Sequence, residues 1–262
     1  SPMTIEFAES GLRLECGSVA QLTLNRPARR NAMTAAMWAA VPEICDILTL
    51  DGTKALIVNG TGDEAFSAGA DISEFEAVYG TPEATAAYNR NVRAAQARLR
   101  DIPLPTIAEI SGVCYGGGCG LALACDFRIA DLGASFAITP ARLGLAYSPA
   151  DTWQLIEKVG ISRAKDLLMT GRSVNAEEAL TIGLIDRLEE DVAVASTALG
   201  DHFAGLAPAA LKAIKAITNG LSELSNRPDL QAAFEGTFSG AEFREGFRAF
   251  LEKRAPDFGG ER

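Results

Sequence analysis

Two glycine-rich stretches, Phe66-Ser67-Ala68-Gly69-Ala70-Asp71-Ile72 and Gly112-Val113-Cys114-Tyr115-Gly116-Gly117-Gly118-Cys119-Gly120, can do chemistry with the main chain alone. Each offers backbone N–H groups where no bulky side chain blocks approach. The second stretch opens the small-residue run Leu121 to Ala124, which reads as a helix start. A helix N-terminus carries unpaired donors and the positive end of the dipole. Two such donors, one from each loop, would hold a developing oxyanion. The chain therefore reads as an enzyme built around backbone electrostatics.

Titratable partners for that site are few. Asp151 lies in Ser148-Pro149-Ala150-Asp151-Thr152-Trp153-Gln154 and forms a capping-box pattern with Gln154, so it reads as a helix cap or as a base. Glu109 sits in the strand before the second glycine stretch, where burial would raise its pKa. Glu74 follows the first stretch and reads as a helix-start acid. Cys114 and Cys119 flank the glycines and read as small packing residues. His202, the one histidine, stands in an Ala/Leu-rich helical segment and reads as structural. A serine or cysteine hydrolase would thus lack a base.

The charge balance, 24 Lys and Arg against 34 Asp and Glu, gives −10. An acidic surface argues against nucleic-acid binding but tolerates a phosphate-bearing ligand held by a few arginines. No apolar run approaches ~20 residues, so no membrane span is expected. No signal peptide is evident. The five cysteines show no metal-binding spacing, so no metal is expected. A cytoplasmic location with reduced thiols follows. Met3 reads as the natural start, with Ser1-Pro2 a cloning remnant.

The elements that must position these groups alternate. Residues 5–9 and 11–25 read as short strands, the latter a hairpin that turns at Gly17-Ser18, a helix spans Ala32 to Leu50 with a break expected near Pro42, and Ala55 to Val58 is an apolar strand. Thr81-Pro82-Glu83 begins a helix that runs to about Arg100, and strands are expected at Thr106 to Ile110 and Asp126 to Ala130. This alternation predicts an α/β fold with a largely parallel sheet. From about Asp191 the strand signals stop, and helices are expected over 191–206, 208–220, 228–238 and 241–253. Residues 1–190 are expected to form the core and 191–262 a helical oligomerisation region.

Four segments in order, Asn25-Arg26-Pro27-Ala28-Arg29-Arg30-Asn31-Ala32, Phe66 to Ile72, Gly112 to Asp126, and Glu245-Gly246-Phe247-Arg248-Ala249-Phe250-Leu251-Glu252-Lys253-Arg254, resemble the crotonase superfamily, the enoyl-CoA hydratase/isomerase family. The resemblance covers nearly the whole chain. It implies a spiral of ββα units with a C-terminal helical trimerisation region, assembled as a homotrimer or a dimer of trimers. It implies an acyl-CoA thioester as substrate, with coenzyme A as the carrier and no further cofactor. By motif position the thioester oxygen would lie between the N–H groups of Ala70 and Gly117, the pair that the glycine stretches also suggest. The match places Arg30, Ala32, Ala68, Asp71, Ile72, Gly118 and Pro140 about the substrate. It takes Phe247 and Lys253 to a neighbouring subunit's ligand.

The chain departs from the family where hydratases carry two glutamates: Gly120 and Pro140 stand in their places. Two-glutamate hydration is therefore not expected. The Thr139-Pro140 loop and Tyr147 partly resemble the methylmalonyl-CoA decarboxylase branch, which carries a tyrosine there, although that branch has an acid at the place of Gly120 and a histidine at that of Ala70. Isomerisation, decarboxylation or an atypical hydration through an enolate remain open, beside a catalytically silent acyl-CoA-binding protein.

Overall fold

A computed structural model describes residues 3–222 and 228–258. Ser1 and Pro2, and the stretches 223–227 and 259–262 of the expected helical region, lie outside the described residues. In chain order the elements are β1 (Thr4–Phe7), β2 (Leu12–Glu15), β3 (Val19–Leu24), α1 (Ala35–Leu50), β4 (Ala55–Gly60), β5 (Ala65–Ser67), α2 (Phe75–Tyr79), α3 (Pro82–Asp101), β6 (Thr106–Ile110), β7 (Val113–Tyr115) and α4 (Gly117–Ala124). They continue with β8 (Phe127–Ala130), β9 (Ser135–Ala137), α5 (Pro149–Val159), α6 (Ile161–Thr170), β10 (Val174–Asn175), α7 (Ala176–Ile182), β11 (Arg187–Leu188), α8 (Val192–Ala204), α9 (Pro208–Leu221), α10 (Pro228–Thr237) and α11 (Ala241–Leu251).

Strands divide between two sheets. The larger has the order β1-β2-β3-β4-β6-β8-β11 and the smaller β10-β9-β7-β5. From β3 to β11 the large sheet is parallel, and only the N-terminal β1-β2-β3 meander is antiparallel. The pairs β4-β5, β6-β7 and β8-β9 each give one strand to each sheet before the chain enters a helix. This is a repeated ββα unit, and it is the α/β architecture that the alternation predicts.

The central strands are mostly apolar because both faces are covered. Leu56, Val58, Ala108 and Ile110 join the main core with Trp38, Val41 and Leu123. Ile57, Ile107 and Ile129 face the other way and pack under Val192 and Leu199 of α8. Each strand's alternation thus sends neighbouring residues to different layers.

Helix α1 corrects two expectations. It begins at Ala35, where the Thr34 hydroxyl accepts from the Met37 N–H at 3.1 Å, and it runs unbroken through Pro42. The lost backbone bond and ring clash of an interior proline cost about 3 kcal/mol. The buried stripe of Met37, Trp38, Val41, Ile44, Cys45 and Leu48 outweighs that cost.

Candidate active site

The loop after β3 is stitched to the first glycine stretch by hydrogen bonds that fix where the backbone points. Asn31 accepts from the Arg26 N–H at 2.9 Å and donates to the Ala65 carbonyl at 2.8 Å. Ala68 N–H donates to the Arg30 carbonyl at 2.9 Å. Met33 N–H donates to the Gly69 carbonyl at 2.7 Å, and Asp71 N–H donates to the Met33 carbonyl at 3.0 Å. In an extended segment successive backbone groups alternate sides. With its neighbours turned toward Met33, the Ala70 N–H faces the opposite way.

That opposite side is where α4 begins. A Cβ placed on Gly69 would lie 3.0 Å from the Tyr115 carbonyl oxygen and 3.5 Å from the Gly117 nitrogen. Gly116 turns the chain at φ 51° and ψ −118°, a conformation that side-chain-bearing residues avoid. Gly117 is the first residue of α4, so its N–H has no intrahelical acceptor. Among the described residues neither the Ala70 nor the Gly117 N–H is engaged by a backbone carbonyl. Gly118 lets the two loops touch, since a Cβ there would sit 2.6 Å from the Ser67 carbonyl oxygen. Trp38 lies against Gly117, with Cζ2 3.3 Å from a Cβ built there. The Gly117 donor thus sits beside an aromatic ring and next to the loop that carries the Ala70 donor.

One turn along α4, groups from two other helices and a loop converge on Gly120. A Cβ built there would meet Gln96 Nε2 at 2.6 Å, Asp151 Oδ1 at 2.8 Å and Tyr147 Oη at 3.0 Å. The space of a side chain at 120 is therefore filled from α3, α5 and the loop before α5. The Tyr147 hydroxyl donates to the Gly116 carbonyl at 2.9 Å. Burial holds its pKa well above the usual phenol value, and the nearby Asp151 charge adds to this, so Tyr147 stays protonated. Gln96 Nε2 and Asp151 Oδ1 are both buried and face each other across the Gly120 Cβ position, and neither has a further hydrogen-bond partner among the described residues.

Asp151 is the one strongly perturbed carboxyl in this cluster. Burial raises its pKa to about 6, opposed by the Ser148 hydroxyl and the Gln96 amide. Its place in the helix differs from the expectation. Ser148 is the N-cap of α5, accepting from the Asp151 N–H at 3.1 Å, and the Ser148 hydroxyl donates to the Asp151 carboxylate at 2.9 Å. The cap lies three residues earlier than the Asp151/Gln154 pattern predicts, because Pro149 fits the first helical position. Asp151 is thereby moved inward.

Glu109 lies elsewhere. It shares the face of β6 that carries Ile107, accepts from Asn59 at 3.1 Å and accepts from the Ser196 hydroxyl of α8. Sheet pairing turns it away from the glycine loops. Glu74 accepts from the Ala35 N–H at 2.8 Å and so caps α1. Asp71 caps its own turn through the Ser73 N–H at 2.9 Å and pairs with Arg26 at 2.9 Å. Burial opposes its ionisation, but Ser73 and Arg26 outweigh it and hold its carboxyl below the usual range. His202 is exposed on α8, beyond the sheet's other face. Cys114 and Cys119 are buried.

Of the remaining residues, Arg30 and Ile72 are exposed and Ala68 half-buried at the mouth of the two loops, while Ala32 is buried beneath it. Pro140 opens a 3-10 turn, Pro140–Leu143, on which α11 rests: a Cβ on Gly246 would lie 2.7 Å from the Leu143 backbone. Phe247 packs on Phe75 of its own chain, 5.4 Å between ring centres, within a cluster that includes Tyr79 and Phe243. Lys253 is exposed beyond the end of α11. Sequence reasoning missed Gln96. Its signal was a polar residue on the inward stripe of α3, beside Ala95 and Leu99.

Known proteins are similar to this chain in sequence and fold. The enoyl-CoA hydratase/isomerase family model matches residues 15–261. An enoyl-CoA isomerase/hydratase of Zymoseptoria tritici is 34% identical over 93% of this chain and 84% of its own length. A short-chain-enoyl-CoA hydratase of Clostridium acetobutylicum is 33% identical over 91% of this chain and 93% of its own. Among solved structures, an enoyl-CoA hydratase/isomerase from Xanthobacter autotrophicus superposes with a TM-score of 0.80 at 28% identity, covering 94% of this chain and 97% of that one. A methylmalonyl-CoA decarboxylase complexed with 2S-carboxypropyl-CoA shares the fold, with a TM-score of 0.85 at 24% identity over 96% of this chain and 98% of that one. The chain belongs to the enoyl-CoA hydratase/isomerase family of enzymes.

Proposed function

We propose that the chain isomerises enoyl-CoA thioesters: Ala70 and Gly117 N–H groups hold the thioester oxygen, and Asp151 carries a proton between two carbons of the acyl chain. The observation that carries this reading is the buried Asp151 carboxyl at Gly120, with a pKa raised to about 6. A base poised near the working pH serves equally to remove and to return a proton. The charge that builds on the thioester oxygen meets two fixed donors, which act more strongly on the enolate than on the substrate. Tyr147, held protonated, keeps Asp151 company without competing as a base. Arg30, Ala32, Ala68 and Ile72 at the loop mouth are the candidates for contact with the coenzyme, with Arg30 the cation there.

Hydration needs a second group to orient and split water. Gly120 and Pro140 supply none. The distinguishing assay presents trans-3-hexenoyl-CoA and crotonyl-CoA to the same preparation. The expected result is isomerisation of the first, with hydration of the second slower by a factor of ~10² or more, the size of one positioned acid–base group. Hydration of crotonyl-CoA at ~10 s⁻¹, an ordinary enzymic rate, would overturn the reading. Binding without turnover of either would favour a silent acyl-CoA-binding protein.

The helices after Asp191 are further proposed to join copies of the chain into a trimer, or a dimer of trimers. Supporting this, α9 is tied down by Lys215, which donates to the Leu104 carbonyl at 2.9 Å and pairs with Asp126 at 2.8 Å. Docked that way, it leaves Ile214, Ile217 and Leu221 exposed along one face. Sedimentation at micromolar concentration should find a trimer or hexamer; a stable monomer would dismiss the assembly.

A further inference from the structure

Behind the Asp151 cluster lies a groove of about 980 Å³, bounded by the outer side of α3 and by α5 and α9. It is walled by Arg90, Arg93 and Arg100, with Asp101 the acid among its lining residues. Arg100 is matched by Glu157 at 3.2 Å. Arg90 and Arg93 have no ion-pair or hydrogen-bond partner among the described residues. In a chain of net charge −10 this is a local cationic pocket on an acidic protein.

The groove is next to the candidate active site. Gln96 lines it, and the same side chain brings Nε2 to 2.6 Å from the Cβ position of Gly120. Ala150 also lines it, while the next residue, Asp151, belongs to the cluster. The partition between the two spaces is thus one side chain thick at Gln96. That side chain is 3% exposed, and its amide nitrogen faces the Asp151 carboxyl.

We propose that the distal end of the acyl group passes Gln96 into this groove and carries a carboxylate, which Arg90 and Arg93 receive. This inference rests on the acyl-CoA reading above. Gln96 would rotate aside to let the chain pass, and Arg93 stands one turn of α3 beyond it, so the acyl chain must reach past Gln96 to meet the guanidinium groups. Guanidinium groups suit a carboxylate better than point charges do, because they offer paired donors.

The test compares binding of adipoyl-CoA and hexanoyl-CoA, which differ at the far end of the chain, by calorimetry. Adipoyl-CoA is expected to bind roughly fivefold or more tightly at low ionic strength, with the preference shrinking at ~0.5 M salt. In the Arg90→Gln/Arg93→Gln variant the preference should vanish while hexanoyl-CoA affinity stays at the parental value. Equal affinities in the parent would overturn the inference and leave the acyl-CoA reading standing. A preference that survives in the variant would also overturn it, by placing the carboxylate elsewhere. If neither thioester binds, the acyl-CoA reading itself fails, and this inference with it.

Discussion

Replacing Asp151 with asparagine is expected to slow isomerisation of trans-3-hexenoyl-CoA by ~10²–10⁴-fold, the usual range for one positioned acid–base group, with little change in substrate affinity. The amide preserves shape and can still accept from Ser148, so the loss reports proton transfer. The pH profile sharpens the test. In the proposed isomerisation the base is the ionised carboxylate, so the parental rate should rise with pH through about 6, where burial has raised the group. The residual rate of the variant should lack that inflection. Stability should move the opposite way. The folded pKa of about 6 lies above the ordinary value of 3.8. The unfolded chain therefore loses its proton first as pH rises. The stabilising contribution is complete below the ordinary value and disappears as pH climbs through about 6, a change on the order of 3 kcal/mol. Thermal melts of Asp151→Asn should lose this slope and exceed the parent above neutrality. A parental rate in the folded variant would remove Asp151 from the chemistry.

The second large effect is expected at Gly117. Gly117→Pro should reduce kcat by ~10²–10³-fold, as loss of one oxyanion donor typically does. Proline suits the first position of a helix, where its missing N–H leaves no intrahelical bond unmade. The substitution therefore deletes the donor with limited cost to α4. Crowding against Trp38 is the competing explanation, since a Cβ here comes within 3.3 Å of its ring. Gly117→Ala separates the two, because it adds the same Cβ and keeps the N–H. The alanine variant should retain most activity and the proline variant should not. Full turnover by a folded proline variant would show that the oxygen is held elsewhere.

The two glycine loops were legible because their chemistry is local. A run of glycines before a small-residue helix states both where the backbone is bare and where its donors are free. The repeated strand and helix signals were legible for the same reason, through apolar period and flanking prolines. The cluster at Gly120 was not, because it joins residues 96, 120, 147 and 151 from four segments whose meeting is set by helix packing. Asp151 was visible as a candidate, but its inward placement depends on a cap at Ser148 rather than at its own position. Glu109 shows the converse. A carboxyl on a strand has two possible faces, and only the pairing of β6 between β4 and β8 turns it toward Ser196 and Asn59. Pro42 was read by local rule, and tertiary burial along α1 overrode that rule.

The backbone origin of the two donors bears on how this scaffold can change. Neither Ala70 nor Gly117 offers its N–H through side-chain identity; each is aimed by what surrounds it, from the Met33 bridge to the turn at Gly116. The carboxyl arrives separately, on α5. On the proposed reading, the electrophilic and proton-handling halves therefore come from separate elements. An engineer would then relocate the acid–base group among α3, α4 and α5 with the backbone donors left in place, changing the reaction by moving a single titratable side chain across a fixed anion clamp.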